Sequence, residues 1–272
     1  MRPNKLRQLL REGRPSVATH IHSMWPTVVE ILGHAGGYDY VEFSGEYAPY
    51  DLFSLDNFCR AAELGGLGAM IKLDQEPRRY LAQRAIGAGF QSVLFADVRT
   101  VEDARECVAA VRPDTPTGGG TFGAADRRST YWAEAGTDAY VQALEDVVLV
   151  LMIEKREAVE QLDEILAVPG IDMIQWGPAD YAMSTGRPGG WDHPEVKAVE
   201  RDVIERSLRA GIQPRAEMTD PADARYFLDL GVRHFCMGWD LGILHAWWQE
   251  RGAALAEIIE ESRAAAAEPT GS

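Results

Sequence analysis

The stretch VVLVLMIEKREAVEQLDEILAVPGIDMIQWGPAD, Val147 to Asp180, decides the fold. It holds two short apolar runs, VVLVLMIE and IDMIQW, separated by a segment whose apolar residues recur at helical spacing. Runs that are apolar throughout suit strands covered on both faces, as in a parallel sheet. A strand, a helix and a second strand in so short a span form a βαβ unit, with its two strands parallel.

The same alternation extends in both directions. SVATHI, YDYVEF, GAMIKL and QSVLFADV precede this unit, and GIQPRAE and RHFCMGW follow it, which gives eight strand candidates. Between them lie helical patterns such as WPTVVEILGHAG, LDNFCRAAELGG, RRYLAQRAIGAG, VEDARECVAAVR and DPADARYFLDLG. Most of these segments end in Gly, a helix-stop signal, and the next strand follows within a few residues. Eight β/α units match a (β/α)8 TIM barrel better than an open doubly wound sheet, although strand order is not written in the sequence. No Pro-, Gly- or Ser-rich linker divides the chain, so residues 1–263 form one barrel domain and 264–272 a flexible tail.

Composition narrows the function classes. The 272 residues are 46% hydrophobic and 25% charged, the profile of an ordinary globular protein. A net charge of −15 opposes nucleic-acid binding, which depends on Lys and Arg neutralising phosphates. No apolar run reaches the roughly 20 residues that span a bilayer, and the N-terminus has no signal-peptide pattern, so no membrane partner and a cytoplasmic location are expected. Cys59, Cys107 and Cys236 are scattered through apolar patterns, as buried thiols would be.

Two segments exceed what a minimal barrel needs. PDTPTGGGTFGAADRRSTYWAEAGTD, between the fourth and fifth strands, is long enough to be a functional loop, with Arg127, Arg128, Tyr131 and Trp132 as its chemistry-bearing residues. GILHAWWQERGAALAEIIEESRAAAA, the last helix, carries Trp247 and Trp248 beside an apolar stripe. A subunit contact and packing on its own barrel both account for that stripe.

In a barrel, polar residues at the C-terminal ends of strands converge on one mouth. They are His20 and His22, Glu46 and Tyr47, Lys72, Asp97, Glu154, Asp180, and Arg215 with Glu217, in strand order. Glu154 closes so apolar a run that its charge is costly unless paired, protonated or bound to a cation. Asp180 follows the Gly177-Pro178 turn. Two carboxylates plus waters suit a hard divalent cation such as Mg2+ or Mn2+. The plainer alternatives are a salt bridge from Glu154 to Lys155, Arg156 or a neighbouring strand, and a helix N-cap at Asp180.

MIEKREAVEQLDEILAVPGIDMIQWGPADYAMSTGRPG resembles the signature of the HpcH/HpaI aldolases, and the likeness covers most of the chain, including GEYAPYD, RAIGAGFQSVL and GVRHFCMGWDLGIL. The resemblance implies a class II aldolase that cleaves or forms a 4-hydroxy-2-oxo acid, with pyruvate and an aldehyde as the partners. It implies a divalent metal, Mg2+ or Mn2+ with Co2+ as a third option, held by Glu154 and Asp180. Glu46, Gly177, Pro178, Ala179 and Arg127 become candidates for holding the substrate, and a homo-oligomer, hexamer or trimer, is expected around the last helix.

The chain departs from the family where proton transfer occurs. Family members usually carry D-G-E-H-A-P; here Ser44-Gly45-Glu46-Tyr47-Ala48-Pro49 stands, so the base His and its supporting Asp are missing. A second network acid aligns with Gly87, and the usual enolate-stabilising Arg aligns with Lys72. Residues two apart on a strand share a face, which makes His20 or His22 the candidate acid/base and leaves Tyr47 and Lys72 as hydrogen-bond and point-charge contributors. Asp97 is a further candidate. His34, His193, His234 and His245 have no such company and are expected to be structural. Acyl condensation, decarboxylation, phosphonate chemistry and a barrel that only binds 2-oxo acids are the alternatives to aldol cleavage.

Overall fold

The computed structural model describes residues 2–130 and 133–267, the last three as backbone only. Tyr131 and Trp132 of the long loop, and residues 268–272 of the expected tail, lie outside the described residues. Eight strands are present: β1 Ser16–Ile21, β2 Tyr40–Ser44, β3 Gly68–Leu73, β4 Ser92–Phe95, β5 Val148–Ile153, β6 Met173–Trp176, β7 Gln213–Met218 and β8 His234–Trp239. They close in chain order, β8 pairing with β1, and each neighbouring pair is parallel. The strand segments read from the sequence are those of the barrel.

Alternation along each strand divides the core into two layers. Ala18, Tyr40, Met70, Leu94, Val148, Val150, Met173 and Cys236 fill the inside of the ring. Ile21, Val41, Phe43, Ile71, Val93, Leu149, Leu151 and Ile174 face the surrounding helices. The parity has a direct consequence at the mouth. Continuing Val148, Val150 and Met152 by two residues brings Glu154 inward, and continuing Tyr40 brings Glu42 and Ser44 inward.

The lower end of the barrel is stoppered by the helix Lys5–Arg11, whose Leu6 packs into the inner layer. Asn4 caps this helix and donates through Nδ2 to the carbonyls of Gln91 at 2.6 Å and Asp146 at 2.8 Å, just ahead of β4 and β5. Arg7 grips the Asp172 carboxylate at 2.5 and 2.7 Å. These bonds tie the helix to carbonyls and a carboxylate at the strand starts, where Asp172 also pairs with Arg112 at 3.3 Å and accepts from the Leu149 amide at 2.9 Å.

Local details differ from the periodicity. The segment after β5 is two short helices, Arg156–Glu160 and Leu162–Leu166, because Gln161 leaves helical geometry at φ −106°, ψ 18°. The expected Gly stop at Gly231 sits one residue beyond the cap Leu230, with positive φ. The final helix, Asp240–Ala267, runs for 28 residues, with Trp247 59% and Trp248 62% exposed. Among the described residues no helix is long and apolar enough to cross a membrane.

His234 opens β8 with Nδ1 2.9 Å from Ser16 Oγ. Burial, then the nearby Arg215 charge, depress its pKa to about 4. The unfolded chain therefore takes up this proton first, and stability is lost as pH falls from about 6.5 towards 4. Urea unfolding at about pH 7 and about pH 4.5 should show His234→Gln losing roughly 2–3 kcal/mol less than the parent over that interval.

Candidate active site at the barrel mouth

A cavity of about 990 Å³ opens at the C-terminal ends of the strands, with His20, Tyr47, Lys72, Glu154 and Asp180 in its lining. The turn Gly177, Pro178 and Ala179 forms part of the same wall. Glu46 joins the site through Lys72, whose Nζ lies 2.7 Å from its Oε2.

Glu154 and Asp180 come from the ends of adjacent strands, β5 and β6. Burial, followed in the same direction by the Asp180 charge, raises the Glu154 pKa above the usual carboxylate range, against the pull of Lys72, Lys155 and a backbone donor. That donor is the Asp97 N–H, 2.7 Å from Glu154 Oε1. Asp97 adopts φ 55°, a left-handed conformation that costs a non-Gly residue energy and here directs its amide at the carboxylate. Gly177 is required beside it: a Cβ there would fall 2.5 Å from Glu154 Cβ and 2.7 Å from Glu154 Oε2.

The plainer alternatives for these two acids are not what the structure contains. Asp180 is the third residue of the helix Pro178–Ser184, whose N-cap Gly177 has no side-chain bond. Lys155 pairs with Asp180 at 2.6 Å and with Asp97 at 2.7 Å. Glu154 spends Oε1 on the Asp97 amide.

Lys72 and Tyr47 form one unit. Lys72 Nζ donates to Tyr47 Oη at 2.6 Å and sits 4.4 Å from the ring centroid. Burial works against the charge on Lys72, yet Tyr47 and Glu46 outweigh it and hold the ammonium above the ordinary lysine range. Burial pushes the Tyr47 phenol up to about 12, overriding Lys72. At neutral pH Lys72 is a fixed positive charge and Tyr47 keeps its proton, so the phenol can donate a hydrogen bond while it accepts one.

The two strand histidines meet. Their rings stack at 5.5 Å, and His22 lies 5.9 Å from the Tyr47 ring. Burial, then the neighbouring His20, lower the His22 pKa. His20 Nδ1 is 3.6 Å from Glu217 Oε1, beyond hydrogen-bond length. The β1–β8 register shifts between Ala18 and His20, so that His20 pairs with Trp239. His22 is held from behind: its N–H and that of Ser23 donate to the two Asp240 oxygens at 2.9 and 3.0 Å.

Arg127 is not brought to this mouth. Its side chain lies over Gly87, near the lower end of the barrel, and donates to the Gln83 carbonyl at 2.9 Å. Arg128 beside it pairs with Glu63. The guanidinium that does approach the mouth from below is Arg215, fully buried, 2.6 Å from Glu42 and bonded to Gln175. Gln175 in turn donates to Glu217 at 2.9 Å. Glu42 was not among the sequence candidates because it lies inside β2 rather than at its end, although its place between Tyr40 and Ser44 in the alternation marks it as inward-facing.

Glu154 and Asp180 offer oxygen donors. Among the described residues no three His, Cys, Asp or Glu side chains gather to enclose a metal. Two carboxylates therefore fit a hard divalent cation that keeps waters or takes substrate oxygens for the rest of its shell.

A closed parallel barrel with paired carboxylates, a fixed lysine and histidines at its C-terminal mouth is the architecture of a TIM-barrel enzyme. Residues 18–246 match the model of the HpcH/HpaI aldolase/citrate lyase family, and the chain belongs to that family. It is 33% identical over 238 residues, 87% of each chain, to a 2-keto-3-deoxy-L-rhamnonate aldolase of Salmonella gallinarum. An HpcH/HpaI aldolase/citrate lyase family protein from Burkholderia cenocepacia superposes with a TM-score of 0.83 at 28% identity, covering 94% of this chain and 99% of the other. An HpcH/HpaI aldolase from Desulfitobacterium hafniense gives 0.86 at 24% identity, covering 94% and 98%, a likeness of fold. The chain is thus an enzyme of the aldolase type, a carbon–carbon lyase in a family of divalent-metal-dependent aldolases.

The Glu42–Arg215 pair should be the costliest polar contact to break singly. Arg215→Met leaves a buried carboxylate unpaired and is expected to lose about 3–5 kcal/mol in urea unfolding. Adding Glu42→Gln to that variant should restore part of the loss.

Proposed function

We propose that this enzyme cleaves, or in reverse forms, a 4-hydroxy-2-oxo acid, with pyruvate and an aldehyde as the other partners. The observation that carries the proposal is the meeting of Glu154 and Asp180 on adjacent strand ends beside the fixed charge of Lys72. The name of the relative, 2-keto-3-deoxy-L-rhamnonate aldolase, supports a deoxy sugar acid as a member of the substrate class.

In this reading Glu154 and Asp180 hold Mg2+ or Mn2+, with Co2+ as a substitute. When bound, the cation supplies positive charge where negative charge develops on the 2-oxo acid as the carbon–carbon bond breaks. Lys72 adds a second, fixed positive charge, and its neutralisation by Glu46 keeps it in place when no substrate is present. Tyr47, fixed by Lys72, donates its own proton as a hydrogen bond to the substrate or to a water. His20 or His22 takes the proton from the C4 hydroxyl during cleavage. His22 suits this role because its lowered pKa leaves it neutral at physiological pH. The wall Gly177, Pro178 and Ala179 shapes the space for the acid end of the substrate.

Arg127, away from the mouth of its own chain, has no part in this scheme. The exposed apolar stripe of the final helix, with Trp247, Trp248, Leu255 and Ile258, supports a homo-oligomer, and light scattering of the purified protein should give a trimer or hexamer mass. The three buried, unpaired cysteines accord with a cytoplasmic location.

The test is deuterium exchange at the pyruvate methyl group followed by NMR, with and without Mg2+ or Mn2+. Exchange should need the metal and should be abolished by Glu154→Gln. Replacing the histidine that serves as base is expected to slow aldol cleavage by about 10²–10⁴-fold. Full turnover by both His20→Ala and His22→Ala would exclude the histidine route.

A further inference from the structure

Lys155 is used by none of the steps above, yet it is held at the mouth as closely as Lys72. It follows Glu154 in extended conformation, and only 8% of its side chain is exposed. Its ammonium bridges Asp180 Oδ1 on one side, at 2.6 Å, and Asp97 Oδ1 on the other, at 2.7 Å. One of these carboxylates follows β4 and the other follows β6, so the lysine spans the ends of three consecutive strands.

From this geometry we infer that Lys155 is a tethered counter-cation that shares Asp180 with the divalent metal and weakens the metal's binding. The inference rests on the reading of Glu154 and Asp180 as the metal's ligands. Without Lys155, the carboxylates of Glu154, Asp180 and Asp97 would stand at adjacent strand ends with, among the described residues, Arg99, 3.7 Å from Asp97, and Lys72 to offset them. A cation of charge two arriving at Asp180 meets a positive charge already 2.6 Å from one of that carboxylate's oxygens. It must displace the lysine or accept its repulsion at close range, and either is costly. The other residues at the mouth do not relieve this: Lys72 adds a second positive charge, and Glu46 is committed to Lys72.

Mn2+ alone is the probe, its free concentration read by electron paramagnetic resonance during titration of the full chain. Lys155→Met, which removes the charge and keeps the bulk, should bind Mn2+ on the order of tenfold or more tightly than the parent. Lys155→Arg, which keeps the charge, should stay within about threefold of the parent. Thermal melts give a second readout: Mn2+ should raise the midpoint of Lys155→Met more than that of the parent, because the variant without metal has lost its counter-charge. If Lys155→Met fails to fold, Lys155→Gln serves in both measurements.

Equal or weaker Mn2+ binding by the charge-removing variant overturns the inference and makes Lys155 a strut that holds Asp180 in position. The metal reading itself is tested separately by adding Glu154→Gln to Lys155→Met. If the tightened binding survives that addition, the cation sits elsewhere and both readings fall.

Discussion

Closing eight parallel strands into a ring imposes one constraint on everything at the mouth: each second residue must point into a space with no room for free charge. Where the inner layer is apolar this costs nothing. Where it is charged, each group has to find its counter-charge inside the ring or at its rim. The structure meets this requirement in stacked pairs, Glu42 with Arg215 inside the ring, then Glu46 with Lys72 and Asp180 with Lys155 at the rim. The site is therefore a set of ion pairs that hold one another in place before any ligand arrives. Among the described residues Glu154 has a backbone amide as its hydrogen-bond partner, and burial raises its pKa against the pull of that amide, Lys72 and Lys155.

Much of this could be read in the sequence. The strands were legible because a both-face apolar run such as VVLVLMIE has little alternative to a buried parallel strand, and the mouth residues followed from knowing where such runs end. Strand order was hidden, since pairing is a property of the closed ring. Lys155 appeared only as a possible partner for Glu154; its actual partners lie 25 residues onward and 58 residues back in the chain, across two strands whose register no local pattern encodes. Glu42 was missed for a different reason, that attention stopped at strand ends. Arg127 was misplaced because a loop's composition says what it can bind and nothing about which end of the barrel it reaches.

The departures from the family's usual residues are not independent. Tyr47 stands where a His is usual and Lys72 where an Arg is usual, and the two touch at 2.6 Å. A guanidinium fork and an imidazole would need different spacing from an ammonium and a phenol. A change at one position therefore alters what the other can hold, and the pair is best regarded as one substitution with two side chains. His20 near the end of β1 and His22 just past it stack beside this pair, which keeps proton-transfer groups at the mouth although their strand of origin differs.

Asp240 links two parts of the molecule that otherwise have separate tasks. It is the first residue of the long exposed helix, and its carboxylate takes the amides of His22, Ser23 and the helix's own Leu241. Mechanically, the carboxylate is a rivet through the hinge between a lever arm of 28 residues and the histidine loop. The start of the arm and the histidine loop thus share one anchor, and a displacement of the helix at its first residue would be felt at the backbone of His22.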